Sequence, residues 1–546
     1  MGDRKVILVL SGEICTGKST LADKLESVFG FKHCKTKEGL LFLAKKKLDG
    51  KVPERGFLQK FGEQLDTTGD GKWVLEYFQH LYAKDFDSEK FYVIDSARIL
   101  KQIQHIREAY SYFVFHIHLE ASKDSLEKRF YQRGEIRELP EAEQKAKYEK
   151  YKQDPTEQQV NTLKDEADLV IDTDKCNDED VFIRVASFFK LLPSTHNELV
   201  DVIVGGQFGS EGKGQIAAHV SPEYECLMRV GGPNAGHTVF EKPYNHVFHL
   251  LPSGTYRSPN SKLLIGPGAV LNLGKLLEEI RTFGIETGRL VIDENAVIIS
   301  QKDIDEEQKI KDKISSTGQG VGFATATNIV ARLYENDNHK AKHFLKELRP
   351  FLGSTANELE NLYKEGKKIL LEGTQGTGLS LHHGLYPHVT SRDTSASGTL
   401  SEAGISPRRV RKIIMVTRCY PIRVGGTSGP FMSNEINMQI VADRSGKNAE
   451  DLVKKEITTT TKKNRRIAEF SWLMFRKACE LNSPTDIALT FTDYISVKNE
   501  KARRYENLTD ETRRFIDEIE RCSGVQVSLI GTTFDYRAVI DRRNWK

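Results

Sequence analysis

The segment Gly12–Ser19 has the residue types and spacing of a phosphate-binding loop, G-x-x-x-x-G-K-[ST]. Its two glycines let backbone N–H groups approach phosphate oxygens, its lysine neutralises phosphate charge, and its final serine hydroxyl is a ligand for Mg²⁺. An apolar run over residues 5–11 precedes this first loop and a helical pattern over residues 20–28 follows it, which is the context that the motif requires. The sequence therefore predicts a nucleoside triphosphate site. The residues assigned to it are Gly12, Gly17, Lys18, Ser19 and Thr20, with Ser19 as the metal ligand.

Charged residues that could act on a phosphoryl group follow in the same part of the chain. Asp95 and Arg98 come at the end of an apolar run, where nucleotide kinases place a carboxylate and a phosphate-binding arginine. Arg129 and Arg133 are four residues apart, so on a helix they would share one face and could both reach a transferring phosphoryl group. A solvated helix face is the alternative interpretation of this pair.

The stretch Arg55–Val74 resembles the acceptor-binding region of viral deoxynucleoside monophosphate kinases, and Asp154 and Glu157 resemble their lid residues. This resemblance covers about residues 4–190 and implies a P-loop nucleoside or deoxynucleoside monophosphate kinase. The charged segment from residue 135 to 164 is interpreted either as a solvated helical flap or as a lid. The residues assigned to the kinase nucleotides are Arg55, Asp95 and Arg98 for the acceptor and Arg129 and Arg133 for the triphosphate.

A second glycine-rich loop, Gly205–Gln215, follows the apolar run Val200–Val204. It has the Gly-Lys pair of a phosphate cradle, but Gly214 stands where a serine or threonine would bind the metal, so the loop alone is a weak signal. Further blocks follow in order along the chain. They are Gly231–Thr238, His249–Gly254, Ser316–Gly322, Glu372–Thr377, Tyr386–Ser391 and Thr458–Arg466.

This ordered set of blocks resembles the adenylosuccinate synthetase family over nearly all of residues 199–546. The resemblance implies that a nucleoside triphosphate phosphorylates O6 of a 6-oxopurine nucleotide. The amine of L-aspartate then attacks C6 and leaves an N6-succinyl purine. Such chemistry needs Mg²⁺ and a cation at the phosphates, a donor at O6 and an anion-binding loop for the dicarboxylate. The resemblance also implies a homodimer, with Arg332 reaching across the interface.

The resemblance assigns roles residue by residue. His237 matches the general acid that donates to O6, and an imidazole suits proton transfer near neutral pH. Lys213 matches the lysine that neutralises phosphate charge, and the Gly236 carbonyl matches a ligand of Mg²⁺. The triphosphate site is assigned Glu211, Gly212, Gly214, Thr238, Asp493 and Gly531. The purine nucleotide site is assigned Asn234, Thr317, Gly318, Arg332, Gln375 and Thr390. The aspartate site is assigned Thr460, Thr461, Lys463, Arg465 and Arg466.

Two positions depart from the family pattern. The family loop has an aspartate that removes the purine N1 proton and helps to hold Mg²⁺, and Ser210 occupies that catalytic and metal-binding position here. A hydroxyl in place of the carboxylate leaves space for the 2-amino group of a guanine nucleotide and can accept a hydrogen bond from it. The base-reading motif Thr-Lys-x-Asp of the family is Thr490–Asp493 here, with Phe491 in place of the lysine, which weakens the case for GTP and favours ATP or dATP.

Together these departures resemble the viral branch of N6-succino-2-aminoadenylate synthases, which use dGMP, aspartate and ATP to make precursors of 2-aminoadenine DNA. Two alternatives stay open. One is an ordinary adenylosuccinate synthetase that uses IMP with GTP or ATP. The other is a protein that senses nucleotides without turnover, against which the retained Lys18, Ser19, Lys213 and His237 argue.

The length and the two loops predict the domain organisation. At about 150 residues per domain, 546 residues suggest three to four units. Two apolar runs are each followed by a glycine-rich loop, and they instead predict two domains. These are a P-loop kinase-like domain over 1–192 and a synthetase-like domain over 199–546, joined by a linker over 193–198. Short apolar runs alternate with charged helical stretches, so we expect an α/β fold with a doubly wound parallel sheet in the first domain and a mostly parallel sheet in the second.

Composition limits the classes of partner. The 80 Lys and Arg against 77 Asp and Glu give a net charge of +3, far below the excess of a dedicated nucleic-acid-binding protein. No apolar run reaches the roughly 18 residues that a membrane span needs. The 7 cysteines include no C-x-x-C pair, so reduced thiols and a cytoplasmic location are expected. The predicted partners are therefore small molecules: a purine nucleoside monophosphate, L-aspartate and ATP.

Overall fold

The structure, a computed structural model of the chain, describes residues 5–48, 55–84, 86, 89–153, 159–192, 197–241, 244–314, 316–457 and 464–544. The chain folds into two compact units, Met1–Pro193 and Ser194–Lys546. Within the described residues, no helix combines the length and the apolar character needed to cross a bilayer.

The N-terminal unit is built on a five-stranded parallel sheet with strand order β2-β3-β1-β4-β5. Its strands are β1 (Val6–Ser11), β2 (Lys32–Cys34), β3 (Phe91–Ile94), β4 (Val114–Glu120) and β5 (Leu169–Asp172). Its described α-helices are Lys18–Phe29, Thr36–Lys47, Arg55–Thr68, Trp73–Tyr82, Leu100–Tyr110, Lys123–Tyr131, Gly134–Arg137, Glu141–Lys152 and Asp178–Phe188, and short 3₁₀ turns cover Ser111–Phe113 and Asn161–Glu166.

Helices cover both faces of this sheet, because successive side chains of a strand point in opposite directions. Leu8 of β1 packs into a buried cluster with helix Lys18–Phe29, whereas Val9 packs into a second cluster with helix Leu100–Tyr110. All six residues of β1 are buried, as expected for a central parallel strand. The strand that feeds the first loop is thus fixed from both sides.

The C-terminal unit has a ten-stranded sheet with order β14-β12-β10-β7-β15-β6-β16-β20-β21-β22, parallel except for the last pair. The strands of this sheet are β6 (Val200–Gly205), β7 (Cys226–Arg229), β10 (Lys262–Ile265), β12 (Leu290–Asp293), β14 (Leu352–Gly353), β15 (Ile369–Glu372), β16 (Val410–Arg418), β20 (Asp486–Thr490), β21 (Val527–Gly531) and β22 (Val539–Asp541). The smaller sheets use β8 (His237–Glu241) with β9 (Tyr244–Phe248), β11 (Val270–Leu271) with β13 (Val297–Ile298), and β17 (Ile422–Val424), β18 (Glu435–Ile436) and β19 (Arg465–Ala468).

Helices flank the large sheet as well. Val202 of β6 belongs to a buried cluster that includes helix Trp472–Asn482, and Ile203 belongs to a second one that includes helix Lys213–Val220. The described α-helices of this unit are Lys213–Val220, Leu273–Thr282, Gln301–Gln308, Lys311–Ile314, Val321–Val330, Leu345–Leu348, Thr355–Lys364, Ala396–Ala403, Met438–Ser445, Ala449–Lys455, Trp472–Asn482 and Asp510–Ser523. Its 3₁₀ turns are Ser221–Glu223, Ala331–Tyr334, Ala341–His343, Arg349–Phe351, Thr377–Leu379, Pro407–Arg409, Thr492–Tyr494, Val497–Lys501 and Tyr505–Asn507.

The predicted fold class is confirmed. The chain is an α/β protein with a five-stranded parallel sheet, followed by a large and mostly parallel sheet. The helix after the first loop begins at Lys18 and so is longer than the predicted 20–28, because Gly17, with φ of 94°, ends the loop directly before it.

Candidate functional site

The first loop joins β1 to helix Lys18–Phe29. Gly12 has φ of 135°, and a Cβ atom there would lie 2.1 Å from the carbonyl oxygen of Leu119, so only glycine fits. Gly17 caps the helix, and the N–H groups of the first turn therefore face the loop, where an anion is favoured by the helix dipole.

The charged and hydroxyl groups of the first loop gather at this helix start. The Lys18 ammonium donates to the carbonyl oxygens of Gly12 at 2.7 Å and Glu13 at 2.8 Å. Ser19 and Thr20 lie exposed in the first helical turn. The loop backbone, the lysine and a serine hydroxyl are thus placed together as a Mg²⁺-triphosphate site requires.

Asp95 lies at the end of β3 and holds the start of the neighbouring helix Thr36–Lys47. One of its oxygens accepts hydrogen bonds from the Thr36 N–H at 2.9 Å and the Thr36 hydroxyl at 2.8 Å. Burial would raise the pKa of Asp95, but the His33 imidazole at 3.6 Å and the hydrogen bonds from Thr36 outweigh it and lower that pKa. Arg98 is exposed, and its backbone N–H donates to the side chain of Gln102. Arg55 is the first residue of helix Arg55–Thr68.

The prediction that Arg129 and Arg133 share one helix face is wrong. The helix that contains Arg129 ends at Tyr131, and Arg133 has extended backbone angles before the next short helix. Arg129 donates to the hydroxyl and the carbonyl oxygen of Thr173, each at 2.8 Å, while Arg133 is exposed. The two guanidinium groups are therefore positioned by different segments. Asp154 and Glu157 lie outside the described residues.

In the C-terminal unit the carboxyl ends of neighbouring parallel strands meet at one edge of the large sheet, the usual place for a ligand site in an α/β fold. Strands β7, β15, β6, β16, β20 and β21 are consecutive in the sheet. They end at Arg229, Glu372, Gly205, Arg418, Thr490 and Gly531 respectively.

The second loop leads from β6 into helix Lys213–Val220. Glu211 and Lys213 form an ion pair of 2.7 Å whose side chains are each 1% exposed. The other oxygen of Glu211 accepts from the N–H groups of Gln207 at 3.0 Å and Gly209 at 2.7 Å. The buried carboxylate thus holds the loop closed and fixes the lysine at the start of the helix.

Gly214 explains why this loop lacks the usual serine or threonine. A Cβ atom at Gly214 would lie 3.0 Å from the Cβ of His237 and 3.2 Å from the Ser253 hydroxyl. The space that a metal-binding hydroxyl would need is therefore taken by His237, which begins β8.

His237 is oriented by a buried carboxylate. Its Nδ1 lies 2.5 Å from Glu372 and 3.3 Å from the Ser253 hydroxyl, and Glu372 also accepts from the Ser253 N–H at 2.7 Å. The Nε2 atom is buried without a hydrogen-bond partner among the described residues, although His237 lines the cavity. One ring nitrogen is thus held while the other is available to a ligand.

Burial sets the charge of this pair. It lowers the pKa of His237 to about 4, helped by the nearby Arg229. Burial would raise the pKa of Glu372, but the charges of Arg229 and His237 outweigh it and hold that pKa at about 2. Without a ligand the histidine is therefore neutral near pH 7, and a phosphoryl anion close to Nε2 would favour its protonation.

A single cavity of about 930 Å³ brings most of the predicted ligase residues together. Those on its wall are Ser210, Gly212, Lys213, Gly214, Asn234, Gly236, His237, Thr238, Thr317, Gln375, Thr390 and Arg465. Two of them already contact each other, since the Thr317 hydroxyl donates to the Asn234 side chain at 2.7 Å. The Gln375 side-chain oxygen has no hydrogen-bond partner within the described part of the chain and can accept from a ligand.

Other predicted residues lie away from the cavity wall. Glu211 lies beneath the loop, and Gly318 accepts from Gln308 through its carbonyl oxygen. Arg332 is exposed, Arg466 is paired with Glu435, and Asp493 is paired with Lys447. Gly531 is the buried last residue of β21, and Thr460, Thr461 and Lys463 lie outside the described residues.

A sequence model of the family described as adenylosuccinate synthetase matches residues 202–333 and 330–500, more than half of the chain. The chain belongs to the adenylosuccinate synthetase family. Members of this family ligate aspartate to a purine nucleotide with Mg²⁺ and a nucleoside triphosphate. The match falls on the unit that contains the cavity.

Relatives of known name cover the same unit. The adenylosuccinate synthetase of Methanocaldococcus jannaschii is 36% identical over 353 residues, which are 63% of this chain and 96% of that protein. The adenylosuccinate synthetase of Thermococcus onnurineus is 35% identical over 352 residues, 63% of this chain and 98% of that protein. The chain thus contains nearly the whole length of these enzymes and an additional N-terminal unit.

Solved structures show the same fold. The fully ligated adenylosuccinate synthetase of Plasmodium falciparum has a TM-score of 0.55 at 23% identity and covers 64% of this chain and 100% of its own. The succinoaminodeoxyadenylate synthetase of cyanophage S-2L, bound to dGMP and dATP, has a TM-score of 0.53 at 26% identity. The match covers 64% of this chain and 96% of the cyanophage chain.

The oxygen donors of the adenylosuccinate synthetase cavity fit Mg²⁺. Ser210 and Gly236 offer neutral oxygens on the cavity wall, while the nearby carboxylate of Glu211 is committed to Lys213. Mg²⁺ keeps few protein ligands and takes substrate phosphate oxygens in addition. This donor set therefore suits an ion that is bound mainly through the phosphates of the nucleotides.

Sequence reasoning missed a buried network beneath the adenylosuccinate synthetase cavity. Glu456 pairs with Arg418 at 2.6 Å and with Arg465 at 2.8 Å, and Arg418 also donates to the carbonyl oxygen of Ser210 at 3.2 Å. Burial would raise the pKa of Glu456, but the two arginines outweigh it and hold that pKa at about 2. The only sequence signal is that Glu456 lies two residues before the threonine-rich segment, which begins at Thr458.

Proposed function

We propose that the C-terminal unit ligates L-aspartate to C6 of dGMP and forms N6-succino-2-amino-2'-deoxyadenylate. ATP or dATP supplies the phosphoryl group for O6. The N-terminal unit acts as a nucleoside or deoxynucleoside monophosphate kinase through the first loop. The single observation that carries the choice of acceptor is Ser210 on the cavity wall, at the position where the family has its catalytic aspartate.

The charge of the cavity supports this acceptor. Glu307 is the one carboxylate among the described wall residues, and it accepts hydrogen bonds from the Ser316 hydroxyl and the Gly322 N–H. No free anionic side chain of the described residues therefore faces the purine. The hydroxyl of Ser210 and the unpartnered oxygen of Gln375 can both accept from the N–H groups that guanine presents at N1 and its 2-amino group. The cyanophage protein that was solved with dGMP and dATP has the same fold.

The residues divide the reaction between phosphate binding and proton transfer. Lys213 and the N–H groups at the start of its helix balance the charge of the transferring phosphoryl group. His237, held through Nδ1 by Glu372, donates a hydrogen bond from Nε2 to O6 while O6 is phosphorylated and guanine loses its N1 proton to solvent. It then acts as the general acid as inorganic phosphate leaves C6 and the aspartate amine bonds there. Ser210 and the Gly236 carbonyl would hold Mg²⁺, which screens the phosphate charge when it is bound.

The exposed 3₁₀ turn Ala331–Tyr334 supports a homodimer. Leu333 is 79% exposed and Tyr334 is 75% exposed, and Ile329 and Val330 in the preceding helix are also exposed. A contiguous exposed apolar surface of this kind is typical of an interface. Arg332 lies within it, so pairing of two copies would bury this surface and carry Arg332 to the partner's cavity.

The test of the acceptor is a mass-resolved product screen. The full chain is incubated with aspartate, Mg²⁺ and ATP, dATP or GTP, together with dGMP, GMP, dIMP or IMP. We expect a succinyl adduct on dGMP with ATP or dATP. An adduct on IMP alone would overturn the dGMP assignment in favour of ordinary adenylosuccinate synthesis.

The variant Ser210→Asp tests the role of the hydroxyl directly. Restoring a carboxylate at the cavity wall crowds the 2-amino group, so dGMP use should fall at least about tenfold relative to IMP use. Ser210→Thr, which keeps the hydroxyl, is the matched control. Nucleotide binding without phosphate release for every acceptor would instead support a sensing protein.

A further inference from the structure

The candidate reader of the triphosphate base, Asp493, is engaged within the protein. One carboxylate oxygen lies 2.7 Å from the Lys447 ammonium, and both side chains are less than a tenth exposed. Lys447 also pairs with Glu500. The second oxygen of Asp493 has no partner among the described residues, but it is shielded from solvent, and Asp493 is absent from the cavity wall.

Aromatic rings occupy the corresponding part of the wall. Phe491 and Phe534 both line the cavity, with ring centroids 5.9 Å apart and planes 23° apart. Phe240, in β8, also packs against Phe534, with centroids 6.1 Å apart and planes 30° apart. We call these three residues the aromatic wall. Phe534 is 37% exposed, so part of its ring is open to a ligand.

The aromatic wall is continuous with the phosphate cradle. A Cβ atom at Gly212, directly before helix Lys213–Val220, would lie 3.2 Å from the ring of Phe491. The Arg418 guanidinium stacks on that ring at 4.1 Å and donates to the carbonyl oxygen of Ser210. A nucleotide whose phosphates meet the helix start therefore has the aromatic wall beside its base.

We infer that the base of the nucleoside triphosphate is held by stacking on Phe534 and is not read by Asp493. This inference deepens the proposed ligase by naming how it takes its donor: the base is held by stacking, so ATP and dATP are accepted and GTP is not selected over them. Stacking is tolerant because every base has a π-face, whereas discrimination needs an unpaired polar group that is aimed at the base.

The test uses the full chain with Lys18→Ala, so that the first loop no longer competes for nucleotide. Calorimetry measures binding of the Mg²⁺ complexes of the non-hydrolysable ATP and GTP analogues that carry an imido bridge. Phe534→Ala should raise the Kd of both analogues by about tenfold, in the same ratio, because truncation removes the stacking surface. Phe534→Trp should keep the affinity, and Tyr256→Ala, an exposed aromatic away from the cavity wall, is the matched control.

The variant Asp493→Asn, made in the same Lys18→Ala protein, tests whether Asp493 reads the base. If the carboxylate serves only Lys447, the ratio of the Kd for the GTP analogue to the Kd for the ATP analogue stays within about twofold of its value in the Lys18→Ala protein. This holds whatever the change in protein stability. A tenfold shift of that ratio in Asp493→Asn, or an unchanged affinity in a folded Phe534→Ala protein, would overturn the inference. Binding needs no acceptor, so failure of the dGMP assignment appears only in the product screen and is distinguishable from failure here.

Discussion

At the scale of single residues, the ligase centre depends on groups that hold other groups in place. His237 has one nitrogen fixed by Glu372 and the other directed to ligand, while Lys213 is fixed by Glu211. Both carboxylates are buried and fully used in this positioning. Each carboxylate therefore acts through its cationic or imidazole partner.

Glu372→Gln should lower kcat for adduct formation by about 10- to 100-fold with little change in the KM for the purine nucleotide. The carboxylate raises the pKa of His237, so its removal lowers that pKa in the complex. A general acid must be protonated, and the rate falls as pH rises through its pKa. The falling limb of the pH–rate profile should therefore move to lower pH. A loss of rate with an unshifted profile would show that Glu372 serves only packing.

At the scale of elements, β1 and β4 carry a buried polar cluster directly behind the first loop. The Ser11 hydroxyl lies 2.6 Å from Nε2 of His116 and 2.8 Å from Nδ1 of His118, and all three residues are fully buried. Burial lowers the pKa of each histidine to about 4. The buried cluster favours neutral rings, because burial disfavours a charged imidazolium at either position.

This cluster should make the N-terminal sheet acid-labile. Between pH 6.5 and 4 the unfolded chain binds protons that the folded sheet excludes, so stability falls as the pH falls through this range. At pH 5 the loss is of the order of 2 kcal/mol per histidine. Pulse proteolysis in urea at pH 7 and pH 5 measures it. The double variant His116→Gln, His118→Asn should lose less stability between pH 7 and pH 5 than the native protein. The control variant His80→Asn, at an exposed histidine, should lose as much as the native protein. An equal pH dependence in all three proteins would contradict the prediction.

At the scale of the whole molecule, two units each carry a phosphate loop at the end of a central parallel strand, and the second unit contains nearly the full length of its relatives. Arg332 lies within exposed apolar residues and away from its own cavity wall. A ligase site that needs this arginine is complete only when a second copy supplies it.

Subunit mixing tests this arrangement. Arg332→Ala and His237→Ala proteins should each be nearly inactive as ligases. After subunit exchange, half of the dimers are hybrids with one intact site, so activity should recover to about one quarter of the native value. Mixing His237→Ala with Lys213→Ala, whose changes lie in the same cavity, is the control and should recover nothing. Equal behaviour of the two mixtures would exclude a shared site.

Contiguous sequence was enough to predict the two strand–glycine loop–helix units, the α/β class and the family. A strand, a glycine turn and a helix start are encoded within about a dozen neighbouring residues, because their hydrogen bonds are local. The blocks around Asn234, His237 and Thr317 were likewise recognisable, and the structure brings these residues to one cavity wall. The prediction for Arg129 and Arg133 failed because periodicity does not show where a helix ends.

Tertiary structure alone decided which partners hold these groups. Glu372 is 135 residues from His237, and Arg418 is 208 residues from Ser210. Arg418 ends β16 beside β6, whose loop carries Ser210, and Glu372 ends β15, where His237 at the start of β8 packs against it. The engagement of Asp493 by Lys447 and the assembly of the aromatic wall depend equally on this distant packing. Sequence determined that the chain handles phosphates and belongs to a ligase family. The strand order determined which side chains stay buried as supports and which remain open to substrate, because that choice depends on contacts between segments far apart in the chain.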